Sequence, residues 1–135
     1  MRRVIFIIPI IVLLFAFTEF TSQDEEWVAP KEAKELKNPI SKSNKESSIT
    51  MGRKIFDTKC SICHGETGRG DGAAAPRVGP KPANFTTEGV QKQEDGEIFW
   101  KLSNGKGFMP KWEIKLSEEE RWSLVNYIRT LKKNK

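Results

Sequence analysis

The sequence predicts a small all-α domain of short helices joined by long loops. Three observations predict it. Apolar residues recur at helical spacing in three short stretches after residue 48. No stretch alternates apolar and polar residues for long enough to make a sizeable strand. One pentapeptide, Cys60-Ser61-Ile62-Cys63-His64, holds both cysteines and the only histidine of the 135-residue chain.

The chain opens with a segment to be set apart from the fold. Arg2 and Arg3 precede an apolar run at 4–17, broken only by Pro9. A basic start followed by a hydrophobic stretch of about 7–15 residues is the pattern of a secretory signal. The run is shorter than the roughly 20 residues of a spanning helix. Cleavage could follow Thr18 or Ser22, the latter removing residues 1–22, but neither position is a clean small-x-small site, so a retained membrane anchor stays open beside a cleaved signal. Either outcome exports the rest of the chain, to a periplasmic location, soluble or tethered to the inner membrane. No cysteine follows the run directly, which argues against a lipid anchor.

Residues 23–48 are dominated by Lys, Glu, Ser and Asn and read as a polar arm or linker. Trp27, Pro30, Leu36, Pro39 and Ile40 are its isolated apolar points. Trp27 and Leu36 are placed to pin the arm to the body, and 33–36 suits a helical turn. Residues 49–135 form the predicted compact domain. Ile49, Ile55 and Phe56 share one side of a helix over 50–59 that leads into the pentapeptide. Glycines at 65, 68, 70, 72 and 79, with Pro76, Pro80 and Pro82, make the following stretch a long loop. Ile98, Phe99 and Leu102 mark a second helix over 95–103, with Asn104-Gly105 as its stop. The last helix has the clearest start, a capping box from Ser117 to Glu120. Its apolar stripe is Trp122, Val125, Ile128 and Leu131, widened by Leu124 and Tyr127. Lys132 and Lys133 close it at the negative end of the helix dipole.

The pentapeptide carries the chemistry. A C-x-x-C-H run reads as a c-type haem attachment site. Two thiols three residues apart on one helical turn can each form a thioether with a haem vinyl group, and the histidine then lies beneath the iron as an axial ligand. A structural zinc site needs four ligands, and the chain has one cysteine pair and one histidine. A thioredoxin-like C-x-x-C expects a strand–helix–strand setting, which these flanks lack. For the sixth position a second histidine is excluded. Met1 belongs to the export segment, and Met51 lies only nine residues before Cys60. Met109, in Gly107-Phe108-Met109-Pro110, lies 45 residues past His64, far enough for the chain to wrap the haem edge, with Pro110 stiffening the loop. Its alternative role is a gap-filling core methionine. A thioether ligand is soft and neutral, favours ferrous iron and raises the reduction potential. Ligands on both faces deny small substrates the metal, which points to outer-sphere electron transfer and away from catalysis.

Residues 49–135 resemble a monohaem class I c-type cytochrome, of the small bacterial kind also found as subunits or domains of respiratory oxidases and reductases. The matching text is Gly52 and Phe56 ahead of CSICHG, then GRGDG, GPKPANF, DGEIFWKLSNG, GFMPKW and LSEEERWSLVNYIRTL. The resemblance implies the cytochrome c fold wrapped around one covalent haem C with iron, joined through Cys60 and Cys63. It also implies a tight crossing of the first and last helices, with Gly52 and Phe56 against Tyr127. A proline carbonyl would accept the hydrogen bond from the other imidazole nitrogen of His64, with Pro80 the candidate ahead of Pro82 and Pro76. Trp100, Trp112, Trp122, Phe85 and Phe108 are candidates for the haem crevice, Trp112 foremost, while ordinary core packing suits Trp122 better.

The net charge of +5 falls to +4 if residues 1–22 leave. Lys59, Lys81, Lys106 and Lys111 flank the motif and ligand loops and would steer an acidic redox partner, or serve as solvated surface only. Nothing beyond the basic charge points to nucleic acid. Three functions follow: an electron carrier in an exported respiratory chain, a haem-bearing subunit of a larger membrane-bound oxidase or reductase, and a haem enzyme or gas sensor with a labile sixth ligand.

Overall fold

The computed structural model describes residues 27–132. The signal or anchor expected at 1–22 lies outside the described residues. Five α-helices follow in order: α1 (Lys45–Lys59), α2 (Ser61–His64), α3 (Glu88–Gln91), α4 (Asp95–Asn104) and α5 (Glu118–Thr130). Short 3-10 turns punctuate the loops, and the sole extended pairing among the described residues is an isolated bridge between Lys106 and Met109. The fold is all-α, as the sequence predicts.

The core forms where α1 crosses α5. Phe56, Leu124, Val125, Ile128 and Trp122 are buried there almost completely. The crossing is close because Gly52 has no side chain. A Cβ at that position would fall on the Ser123 carbonyl oxygen and lie 2.9 Å from Tyr127 Cβ. The Phe56 and Tyr127 rings meet at 5.1 Å between centroids. The packing of Gly52 and Phe56 against Tyr127 is therefore present. Trp122 stacks on Phe99 of α4 at 4.0 Å and 13°, an ordinary core role for that indole.

Helix ends follow their sequence signals. Ser117 Oγ accepts from Glu120 N–H and Glu120 returns a bond to Ser117 N–H, so the capping box that opens α5 is complete. α4 ends at Gly105, whose φ of 61° suits glycine. α1 differs from expectation by starting at Lys45. Ser47, Ser48 and Thr50 bond back to carbonyls three or four residues earlier, which satisfies these hydroxyls within the helix.

The polar arm lies along α4. Ala29 and Ala33 are its buried anchors, at 4% and 2% exposure. A Cβ at Gly96 would overlap the Ala33 carbonyl oxygen, so a glycine on α4 makes the seat for the arm. Trp27 meets Trp100 at 6.4 Å, whereas Leu36 stays 41% exposed. Lys34 reaches Glu97 at 3.9 Å. Asn38 donates to Asn126, which in turn donates to the buried Ser48 hydroxyl.

Candidate metal centre

Cys60 closes α1 and opens α2. The Cys60 carbonyl accepts from the N–H groups of both Cys63 and His64, which winds the pentapeptide into a single turn. That turn brings Cys60, Cys63 and His64 together on one short helix. Neither thiol is in a disulfide. Burial, with the neighbouring Cys63 adding to it, pushes the Cys60 thiol up to about 12. A redox-active or metal-binding cysteine needs the thiolate, so the folded environment opposes both roles for a free Cys60. Thioether formation replaces the S–H and removes the question of charge.

The His64 ring is buried, and its Nδ1 lies 3.1 Å from the Ala83 carbonyl oxygen. A carbonyl only accepts, so Nδ1 carries the proton and donates it. The lone pair is then on Nε2. Burial lowers the His64 pKa and the Ala83 bond only partly opposes it, so the ring stays neutral and able to bind a metal at neutral pH. Phe85 lies against its face, with ring centroids 4.4 Å apart and 20° between planes.

The acceptor is Ala83, not Pro80, Pro82 or Pro76. The reason lies in the glycine loop. Gly70 N–H bonds back to the His64 carbonyl and Phe85 N–H to the Gly68 carbonyl, which lays residues 83–85 beside the imidazole. Pro80 is elsewhere, with its Cδ 3.3 Å from where a Cβ on Gly107 would stand, next to the methionine loop. Met109 is half-buried against the core cluster that contains Trp112, Phe85 and Cys60. Its loop is closed by the bond from Met109 N–H to the Lys106 carbonyl. Trp112 is 8% exposed, with Lys115 Nζ 5.9 Å from its ring centroid. Trp100 faces the arm, and Phe108 is 71% exposed. Met51, 40% exposed on α1, stands apart from this cluster. Among the described residues no three His, Cys, Asp or Glu side chains converge.

The residues present fit a covalently held haem. Two unpaired thiols share a helical turn with a neutral imidazole that has one nitrogen engaged and the other carrying its lone pair. Fold and site together define a c-type cytochrome. A profile of the family described as cytochrome c oxidase, cbb3-type, subunit III matches residues 47–128, and the chain belongs to that family. It is 28% identical over 91 residues to the cbb3-type cytochrome c oxidase subunit CcoP of Azospirillum brasilense, covering 67% of this chain and 30% of that one. It is 35% identical over 81 residues to cytochrome c6 of Euglena gracilis, covering 58% of this chain and 87% of that one. Among solved structures, the Kuenenia stuttgartiensis reducing HAO-like protein complex contains a chain with a TM-score of 0.63 and 28% identity, covering 73% of this chain and 50% of that one. The KustC0563 c-type cytochrome matches with a TM-score of 0.53 and 28% identity, over 61% of this chain and 98% of that one. The matched region thus spans under a third of the CcoP subunit and nearly all of a small c-type cytochrome. The protein is a monohaem class I c-type cytochrome with covalently bound haem C and its iron.

Proposed function

We propose that the chain is a single-electron carrier, with Cys60 and Cys63 as the thioether positions and the iron held between His64 and Met109. One observation carries the reading. The buried His64 ring donates Nδ1–H to Ala83 on the same helical turn as two unpaired thiols, which leaves Nε2 as the metal-binding atom. Haem C supplies reversible exchange between ferrous and ferric iron. His64 makes the iron more electron-rich through its bonded Nδ1–H. Met109, a neutral thioether, favours the ferrous state. Phe85 and Trp112, both buried, would line the site with apolar surface. With His64 and Met109 holding the iron, the haem would exchange electrons by outer-sphere transfer and small substrates would be denied the metal. Electron donor and acceptor are redox proteins of an exported respiratory chain, and Lys59, Lys81 and Lys111, all exposed, favour an acidic partner surface. The optical spectrum of the oxidised holoprotein tests the ligand pair. Met109→Ala is expected to abolish the thioether-to-iron band, and an unchanged spectrum would remove Met109 from the site.

A second reading is a haem subunit fixed in a larger membrane complex. Similarity to the CcoP subunit and to a chain of the HAO-like complex favours it, and an uncleaved anchor at 1–22 would support it. Among the described residues no helix is long and apolar enough to cross a membrane. Mass spectrometry of the mature N-terminus, with fractionation of washed membranes, separates the two. A cleaved, freely released protein supports the carrier, and an intact, retained one supports the subunit.

A further inference from the structure

One glutamine links α5 to the segment that faces His64. Gln91 Nε2 donates to the Phe85 carbonyl at 2.7 Å and to the Ile128 carbonyl at 2.9 Å. An amide nitrogen has two protons, and both are used. One acceptor belongs to the Phe85 residue whose ring lies on the imidazole, two positions after the Ala83 carbonyl that takes Nδ1–H. The other acceptor is in the last turns of α5. Gln91 is itself pinned from α5. Arg129 donates through Nη1 to the Gln91 carbonyl at 2.9 Å, through Nη2 to the Gln93 carbonyl, and through Nε to Asp95 Oδ1 at 2.7 Å. α3 is a single turn of four residues, too short to hold its own place. These side-chain links set its position and, through Gln91, that of residues 83–85.

We propose that Gln91 is a positioning residue for the axial histidine, its carboxamide holding the 83–85 segment against His64 and so setting the strength of the Nδ1–H bond to Ala83. The inference rests on the reading of His64 as an iron ligand. The bond to Ala83 makes the imidazole a stronger electron donor and favours ferric iron. Loosening the segment weakens that donation, so the ferrous form gains and the potential rises. A glutamine that merely glued α3 to α5 would leave the histidine untouched when lost.

The test uses reduced holoprotein. Gln91→Met keeps the side-chain length and removes both donors, whereas Gln91→Lys keeps donors at the tip. Hydrogen exchange of the His64 Nδ1 proton, read by NMR, is expected to run about tenfold faster in Gln91→Met, the factor that loss of one ordinary hydrogen bond gives. The reduction potential rises in the same variant, and Gln91→Lys moves both readouts back toward the parent. Amide exchange at Phe56 and Val125, in the α1–α5 core, stays unchanged. Gln91→Asn, whose amide is too short to bridge both carbonyls, gives the same signs at smaller size and serves if the methionine variant loads haem poorly. Unchanged Nδ1 exchange and potential overturn the inference. Equal acceleration of Nδ1 and the core amides overturns it too, because that marks general loosening. Failure of the underlying reading has a separate signature: a His64 resonance in the parent protein without the haem-induced shift of an iron-bound imidazole.

Discussion

At His64 the fold settles a question that the motif leaves open, namely which ring nitrogen carries the proton. The Ala83 carbonyl can only accept, so Nδ1 carries the proton and Nε2 the lone pair. The histidine and both cysteines are legible in the sequence because their types and spacing are rare. The Ala83 acceptor is not, because every residue has a carbonyl and only the glycine loop decides which one meets the ring. Phe85 was foreseeable as a crevice aromatic but not as the ring on His64. Tyr127 carries a pH prediction at the same scale. Burial first, then the nearby Asp57, raises its phenol above the usual value of 10. The folded state holds the neutral phenol, while the unfolded chain ionises near the ordinary value. Stability from this group is therefore complete below pH 10 and declines as pH rises past it. Comparing urea midpoints at pH 8 and pH 11, Tyr127→Phe should lose less stability than the parent protein. An equal loss would place the alkaline sensitivity elsewhere.

Among the elements, the α1–α5 crossing and the docked arm each depend on a small residue. Gly52→Ala would push a Cβ into the Ser123 carbonyl, which belongs to a helix backbone and cannot swing away. A loss of about 3 kcal/mol is expected, the upper end of the overpacking range, read as a lower urea midpoint. The arm depends on Ala33 being small and apolar. Ala33→Glu should release it and speed tryptic cleavage after Lys34 and Lys37 by about tenfold, with the haem spectrum unchanged. Unchanged cleavage would mean that other contacts hold the arm. The Ser117 capping box and the Gly105 stop were legible because caps are local chemistry. The seat of the arm was not. Its anchors are two alanines in a charged stretch, which give no periodic signal, and their partner is a glycine defined by what it lacks. α3 escaped notice for a similar reason, since one turn is too short to show a period.

At the scale of the whole molecule, the described core is small and includes one of the two motif cysteines. The buried cluster runs from Ile55 and Phe56 through Cys60 and Phe85 to Trp112 and Leu124, so the attachment turn is part of the core and not an appendage. A protein with Cys60 and Cys63 both replaced by alanine should therefore fold poorly, with a broad, weakly cooperative thermal transition. A sharp transition near that of the holoprotein would show that the chain folds without its haem. The proposed ligand pair, His64 and Met109, would close both faces of the iron and so separate an electron carrier from a haem enzyme or gas sensor. Carbon monoxide binding to the reduced holoprotein tests that claim most directly. Binding should be negligible or very slow in the unaltered protein and rapid in Met109→Ala under the same conditions. Rapid binding by the unaltered protein would contradict a site closed by His64 and Met109.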